Sequence, residues 1–218
     1  MKRIAFFGGS FDPVHNGHLG VARALTDVFA LDEFVFIPAF HAPHKPGRKP
    51  TSAYHRHAML SLATNDEPKL GISAMELDMP ERPYTVETLG RLKSSLKNTR
   101  IFFVMGADSW MDILTWREWE KVLTMTDHIV VTRPGYEIGF SHVTDAIRKK
   151  IRDLREDILS IHDPRQPTRG TRIYITDAVS LAVSASALRK DIKNGAPGWQ
   201  ANVPEGVAKY IEKYQIYK

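Results

Sequence analysis

With 218 residues, 43% of them hydrophobic and 25% charged, the chain is sized for one α/β domain with at most a small appended lobe. It has no cysteine, which excludes disulfides, thiolate catalysis and thiolate metal sites. No apolar run approaches a membrane span and no charged-then-apolar leader precedes the first strand, so a cytoplasmic protein is expected. The net charge of +5 comes from 30 basic residues interleaved with 25 acidic ones, without a basic run or an RNA-binding signature, which counts against nucleic acid as a partner.

The first predicted element is a short buried strand, residues 3–7, made of Arg3, Ile4, Ala5, Phe6 and Phe7. Beyond the turn that follows, Leu19, Ala22, Leu25, Val28 and Phe29 recur at helical spacing. Between them lies Gly8-Gly9-Ser10-Phe11-Asp12-Pro13-Val14-His15-Asn16-Gly17-His18. A strand, a glycine-rich turn and a helix start place free backbone N–H groups and the positive end of a helix dipole together, a receiver for phosphate. Gly8 and Gly9 let an anion approach the backbone closely. His15 and His18 share one face of the helix start. The dipole alone contributes about 0.3–1 kcal/mol toward an anion, and two charge-assisted imidazole donors add roughly 1.5–3 kcal/mol each.

That eleven-residue string resembles the signature of the nucleotidylyltransferase superfamily, whose core is His-x-Gly-His. More narrowly it resembles the bacterial nicotinate-nucleotide adenylyltransferases, which carry the Phe-Asp-Pro-x-His form of the turn. That family transfers AMP from ATP to nicotinate mononucleotide in NAD biosynthesis, giving deamido-NAD and pyrophosphate. The resemblance implies that Gly8, Gly9, Ser10, Phe11 and Gly17 line the ATP site, with His15 and His18 on the phosphates.

Further strands are predicted at residues 33–38, 70–74, 101–105, 128–132 and 172–176, with helices at 52–64, 85–96, 116–123 and 143–154. The alternation predicts a Rossmann-like, doubly wound parallel sheet in a single domain over residues 1–218, with a small C-terminal helical part at about 178–218. After the second strand, Pro38 and Pro43 mark a loop carrying His41, His44 and Lys45. The resembled family has its Pro-His-Lys here, which puts Lys45 on the ATP phosphates as a mobile point charge. His41, His44, His55 and His57 suggest a metal cluster, but side chains two apart on a helix diverge and Arg56 repels a cation. These read as surface histidines, and no metal site is expected.

Tyr84-Thr85 opens the next helix, with Thr85 as the expected N-cap. The family's Tyr-Thr pair lies here, which implies that Tyr84 and Thr85 hold the nicotinate carboxylate through backbone N–H groups. Gly106 and Asp108 follow the fourth strand, where Asp108 suits either ribose hydroxyls or a helix cap; the family's Gly-x-Asp lines the nucleotide cleft. Trp116 and Trp119 are predicted on one side of a helix, and the resemblance implies that Trp116 stacks on the pyridine ring. Arg133, in a Val-x-x-Arg-Pro-Gly match, either contacts phosphate or holds the turn.

Val143, Ile147, Ile151 and Leu154 read as the buried stripe of a helix. The segment 163–171, with Pro164, Pro167 and Gly170, reads as a loop, an oligomer contact being the alternative. Near the end, Ser184 or Ser186 caps a helix that carries Arg189. The family's serine-rich motif matches at Ser184, Ser186 and Arg189 but not at Ala185, and its arginine works on the ATP phosphates. The resemblance implies in-line attack of a phosphate that is already anionic at pH 7, with no general base and with Mg²⁺ carried on ATP. Two other readings remain open: another phosphate-bearing acceptor such as NMN or phosphopantetheine, and a non-catalytic nucleotide-binding protein.

Overall fold

Apolar runs bounded by turn residues become the strands of one parallel sheet. In the computed structural model, residues 1–40, 50–77, 83–132, 137–155, 166, 169–178 and 183–218 are described. The strands are β1 (Lys2–Gly9), β2 (Glu33–Pro38), β3 (Leu70–Ile72), β4 (Thr99–Gly106), β5 (Asp127–Val131), β6 (Ile151–Asp153) and β7 (Ile173–Thr176). Seven parallel strands run in the order β3-β2-β1-β4-β5-β7-β6. The order turns back at β1, as a doubly wound sheet requires. β1 and β4 pair with Phe6 opposite Phe103, and β4 and β5 with Val104 opposite Ile129. The central residues of these strands are apolar and buried, as in parallel strands covered on both faces.

The helices are α1 (Asn16–Val28), α2 (Ala53–Thr64), α3 (Thr85–Ser95), α4 (Ala107–Met111), α5 (Trp119–Met125), α6 (Asp145–Arg148), α7 (Ala185–Lys193) and α8 (Glu205–Lys213). Among the described residues, no helix is long and apolar enough to cross a membrane.

Contacts divide the chain into two compact units. One comprises Met1–Phe7, Ala24–Phe34 and Pro83–Ser180; the other comprises Gly8–Arg23, Val35–Arg82 and Leu181–Lys218. The first unit has an aromatic core in which Phe29 meets Phe102 and Tyr174 edge-on. At the start of β4 and β5 it buries an ion pair, Arg100 Nε to Asp127 Oδ2 at 2.7 Å. Arg100 also donates to the Tyr174 hydroxyl, and Asp127 accepts the Arg172 N–H, so both charges are hydrogen-bonded where water is excluded. In the second unit, α8 packs on α2, and His55 Nδ1 lies 2.9 Å from the Tyr210 hydroxyl. His55 is therefore packed rather than a surface histidine.

Two predicted helices differ. Residues 143–154 form only the single turn of α6 before the chain extends into β6, with Ile151 paired to Ile173 of β7. A four-residue spacing of apolar side chains suits a helix turn and also two steps of strand alternation. The free strand side of β7 and the β-branched Ile151 decide for the sheet. The helix predicted from residue 116 begins at Trp119, because Glu118 adopts a left-handed conformation (φ +52°) that breaks the turn before it.

Candidate active site

In the second unit, Gly8 and Gly9 complete β1 rather than form the turn, and the left-handed residue is Phe11, at φ +47°. This folds the Phe11 ring back along the strand, and a Cβ on Gly9 would lie 2.9 Å from its Cζ. Gly9 is thus a glycine because an aromatic ring occupies the side-chain position. Phe11 is buried and meets Phe36 and His18 edge-on.

His15 stands just before α1, and its carbonyl accepts the first helical N–H, that of His18, at 2.9 Å. The two imidazoles stack with centroids 3.7 Å apart. A Cβ on Gly17 would sit 3.0 Å from the His15 ring, so this glycine makes room for the stack. The His15 backbone N–H donates to His18 Nδ1 at 3.3 Å. That bond fixes the tautomer with the proton on His18 Nε2, the donor this ring can offer a ligand. Burial lowers the His15 pKa to about 4, and burial together with the neighbouring His15 holds His18 well below its ordinary value. At neutral pH both rings are uncharged, so of the positive or donor roles open to them they can take that of oriented donors. His15 Nδ1 is buried without a hydrogen-bond partner among the described residues.

Ser184 is the N-cap position of α7, which resolves the choice between the two serines. Arg189, one turn in, donates from Nη1 to the Asp12 carbonyl at 2.6 Å and from Nη2 to Ser186 Oγ at 2.9 Å. The fold therefore brings Phe11, His15, His18, Ser186 and Arg189 to one region of this unit, with Ser10 beside them. Lys45 and Arg133 lie outside the described residues, as do His41, His44 and most of 163–171.

In the first unit, Gly106 ends β4 and caps α4, and Asp108 is exposed in that helix's first turn. The N-cap of α3 is Tyr84 and not Thr85, since Tyr84 has extended dihedrals and donates its N–H to Glu87 Oε2 at 3.0 Å. Thr85 is instead the first helical residue, with its N–H among the donors a helix start leaves without intrahelical acceptors. The Arg117 guanidinium lies 4.8 Å over the half-exposed Tyr84 ring and 3.5 Å from Glu87. Trp116 follows a 3₁₀ turn (Ile113–Thr115), half-buried in an extended conformation, with its ring edge-on to Phe103. It shares no helix face with Trp119. Among the described residues, no three His, Asp or Glu side chains come together as a metal site.

Sequence reasoning missed Arg56. Its side chain is 1% exposed and donates to the carbonyls of Ser10 (2.6 Å), Ala39 (2.6 Å), Phe40 (3.3 Å) and Thr51 (3.0 Å). A single guanidinium thus ties the end of β1 to the segment after β2. Arg56→Met would leave those carbonyls without a donor, at about 1–3 kcal/mol for each buried group not rescued by water. The expected loss is roughly 3–5 kcal/mol in urea unfolding. A loss under about 1 kcal/mol would mean that water replaces the fork.

The match to a known family spans residues 6–191, which fit the cytidylyltransferase-like family model. The chain belongs to that family of nucleotide-transferring proteins. Within it, the similar full-length relatives are more particular. A probable nicotinate-nucleotide adenylyltransferase of Thermoanaerobacter sp. (strain X514) is 36% identical over 217 residues, covering 99% of this chain and 94% of the relative. One from Mycolicibacterium smegmatis is 35% identical over 210 residues, covering 96% and 90%. Among solved structures, Plasmodium falciparum nicotinic acid mononucleotide adenylyltransferase complexed with NaAD superposes with a TM-score of 0.70 at 22% identity, covering 100% of this chain and 98% of that one. This last likeness is one of fold.

Proposed function

We propose that this protein transfers the adenylyl group of ATP to nicotinate mononucleotide, forming deamido-NAD and pyrophosphate, as a cytoplasmic step of NAD biosynthesis. The observation that carries the reading is the stacked His15–His18 pair at the start of α1, two oriented donors, together with Arg189 one turn into α7, a forked cation that bonds the Asp12 carbonyl of the same turn. Full-length relatives carrying that activity in their names support the choice of acceptor.

A phosphate oxygen of the mononucleotide attacks the α-phosphorus of ATP in line. The bond from that phosphorus to the bridging oxygen breaks, and pyrophosphate leaves with the electron pair. The nucleophile is a phosphomonoester with a second pKa near 6, so it is anionic at pH 7 and requires no general base. The protein contributes positioning and charge neutralisation. His18 donates from Nε2 to the α-phosphate, and His15 supports the ring while offering its own donor. Arg189 and Lys45 neutralise the β- and γ-phosphates, with Mg²⁺ arriving on ATP as part of the substrate. Gly8, Gly9, Ser10, Phe11 and Gly17 form the backbone cradle, joined by Ser184 and Ser186, and Gly106 and Asp108 receive the adenosine part. Trp116 stacks on the pyridine, Arg133 lies by its phosphate, and the N–H groups at Tyr84 and Thr85 receive the nicotinate carboxylate.

The test is pyrophosphate release from MgATP with nicotinate mononucleotide, NMN or phosphopantetheine as acceptor. The expected kcat/KM for nicotinate mononucleotide exceeds that for NMN by roughly 100-fold, since a site built for a carboxylate strands its donors on an amide. Equal rates would mean dual specificity, and binding of ATP without turnover would place the chain among nucleotide sensors.

A further inference from the structure

The segment after α8 returns to the nucleotide-binding turn. Its backbone is strained, with Gln215 at φ +52° and Tyr217 at φ +72°, a region unfavourable for residues bearing a Cβ. Such conformations persist where surrounding contacts hold them. Here Ile216 is buried and donates its N–H to the Ile211 carbonyl at 3.1 Å. Tyr217 then donates its hydroxyl to Asp12 Oδ1 at 2.6 Å. Asp12 is 5% exposed, and its other carboxylate oxygen lies 3.4 Å from the Thr51 N–H. The main-chain carbonyl of the same Asp12 is the acceptor for Arg189 Nη1. Burial and the adjacent Asp12 carboxylate raise the Tyr217 pKa, so the phenol keeps its proton and remains a donor.

We infer that Tyr217 is a positioning residue for Arg189, acting through Asp12. The phenol holds the buried carboxylate, the carboxylate fixes the peptide of Asp12, and that peptide's carbonyl aims one arm of the guanidinium while Ser186 holds the other. Arg189 then meets the triphosphate already oriented, without having to select one of its many rotamers on binding. This rests on the reading that Arg189 contacts the phosphates of ATP.

The experiment is steady-state kinetics on Tyr217→Phe, Arg189→Ala and the double variant, with pyrophosphate as product inhibitor and thermal melting alongside. Tyr217→Phe keeps the ring and removes only the donor. It is expected to lower kcat/KM for ATP about tenfold and to raise the pyrophosphate inhibition constant in parallel. KM for nicotinate mononucleotide should stay unchanged. In the Arg189→Ala background the same substitution should cost no more than about twofold, because the group it orients is gone.

Losses that multiply in the double variant would overturn the proposal, as would wild-type kinetics for Tyr217→Phe. A loss shared equally by KM for both substrates with a lowered melting temperature would also overturn it, because that marks general loosening. Wild-type kinetics for Arg189→Ala would instead defeat the phosphate role of Arg189, and the inference would fall with it.

Discussion

The expected result of His18→Ala is a fall in kcat of roughly 10²–10³-fold with KM for ATP changed by no more than a few-fold. The reason lies in how this ring is held. Its Nδ1 accepts the His15 N–H, its face stacks on His15, and the Phe11 ring meets it in a T-shaped contact. The Nε2 proton is therefore fixed in direction before substrate arrives, and such a donor costs no reorganisation as charge moves onto the phosphate oxygens in the transition state. Interactions that strengthen only there appear in kcat and not in KM. His18→Asn, which keeps an N–H donor on a shorter side chain, should recover part of the rate. A His18→Ala variant whose kcat is intact and whose KM alone rises would make His18 a ground-state binding residue.

Acid instability is the second large effect. His15 and His128 are buried, and burial lowers the pKa of each from 6.5 to about 4. His128 lies in β5 against Phe103, and among the described residues its Nε2 has no partner ready to accept a hydrogen bond from a second proton. In the unfolded chain both rings take up protons near 6.5. Between that pH and about 4 the unfolded state binds more protons, so acidification favours unfolding. Above 6.5 both states are neutral and the contribution vanishes, and below 4 it is complete. Each ring then removes about 3 kcal/mol, against a total stability typically of about 5–15 kcal/mol. Burial holds His18 well below its ordinary value as well, so urea unfolding free energy should be nearly flat from pH 8 to 7 and fall by up to about 4 kcal/mol per pH unit below 6. His128→Leu should remove about a third of that slope. Stability unchanged down to pH 5 would show that water reaches the rings.

Much of this protein is legible in its sequence, because local chemistry and tertiary structure agree there. The residues from Gly8 to His18 already combine a strand end, a helix start and two imidazoles, and β2 falls at the predicted bounds, Glu33–Pro38. What escaped reading depends on partners distant in sequence. Arg56 looks like a solvated helix arginine until Ser10, Ala39 and Thr51 surround it. Asp12 belongs to the motif, yet its importance comes from Tyr217, 205 residues away. Residues 143–154 carry a periodicity that two structures satisfy, and only the neighbouring β7 chooses. The spacing of Trp116 and Trp119 suggests a shared helix, because nothing in either residue type announces the left-handed Glu118 between them.

The sheet also bears on how copies of this protein can meet. Among the described residues its outermost strands are β3 and β6, each three residues long. A strand that short offers an incoming chain few ladder bonds, and β6 further carries Arg152 and Asp153, with Arg155 just beyond. Short margins, with charge on the β6 side, deter one sheet from annealing to another. Self-association through continuous strand pairing is therefore disfavoured at both margins, and crowding during synthesis should produce little fibrillar by-product.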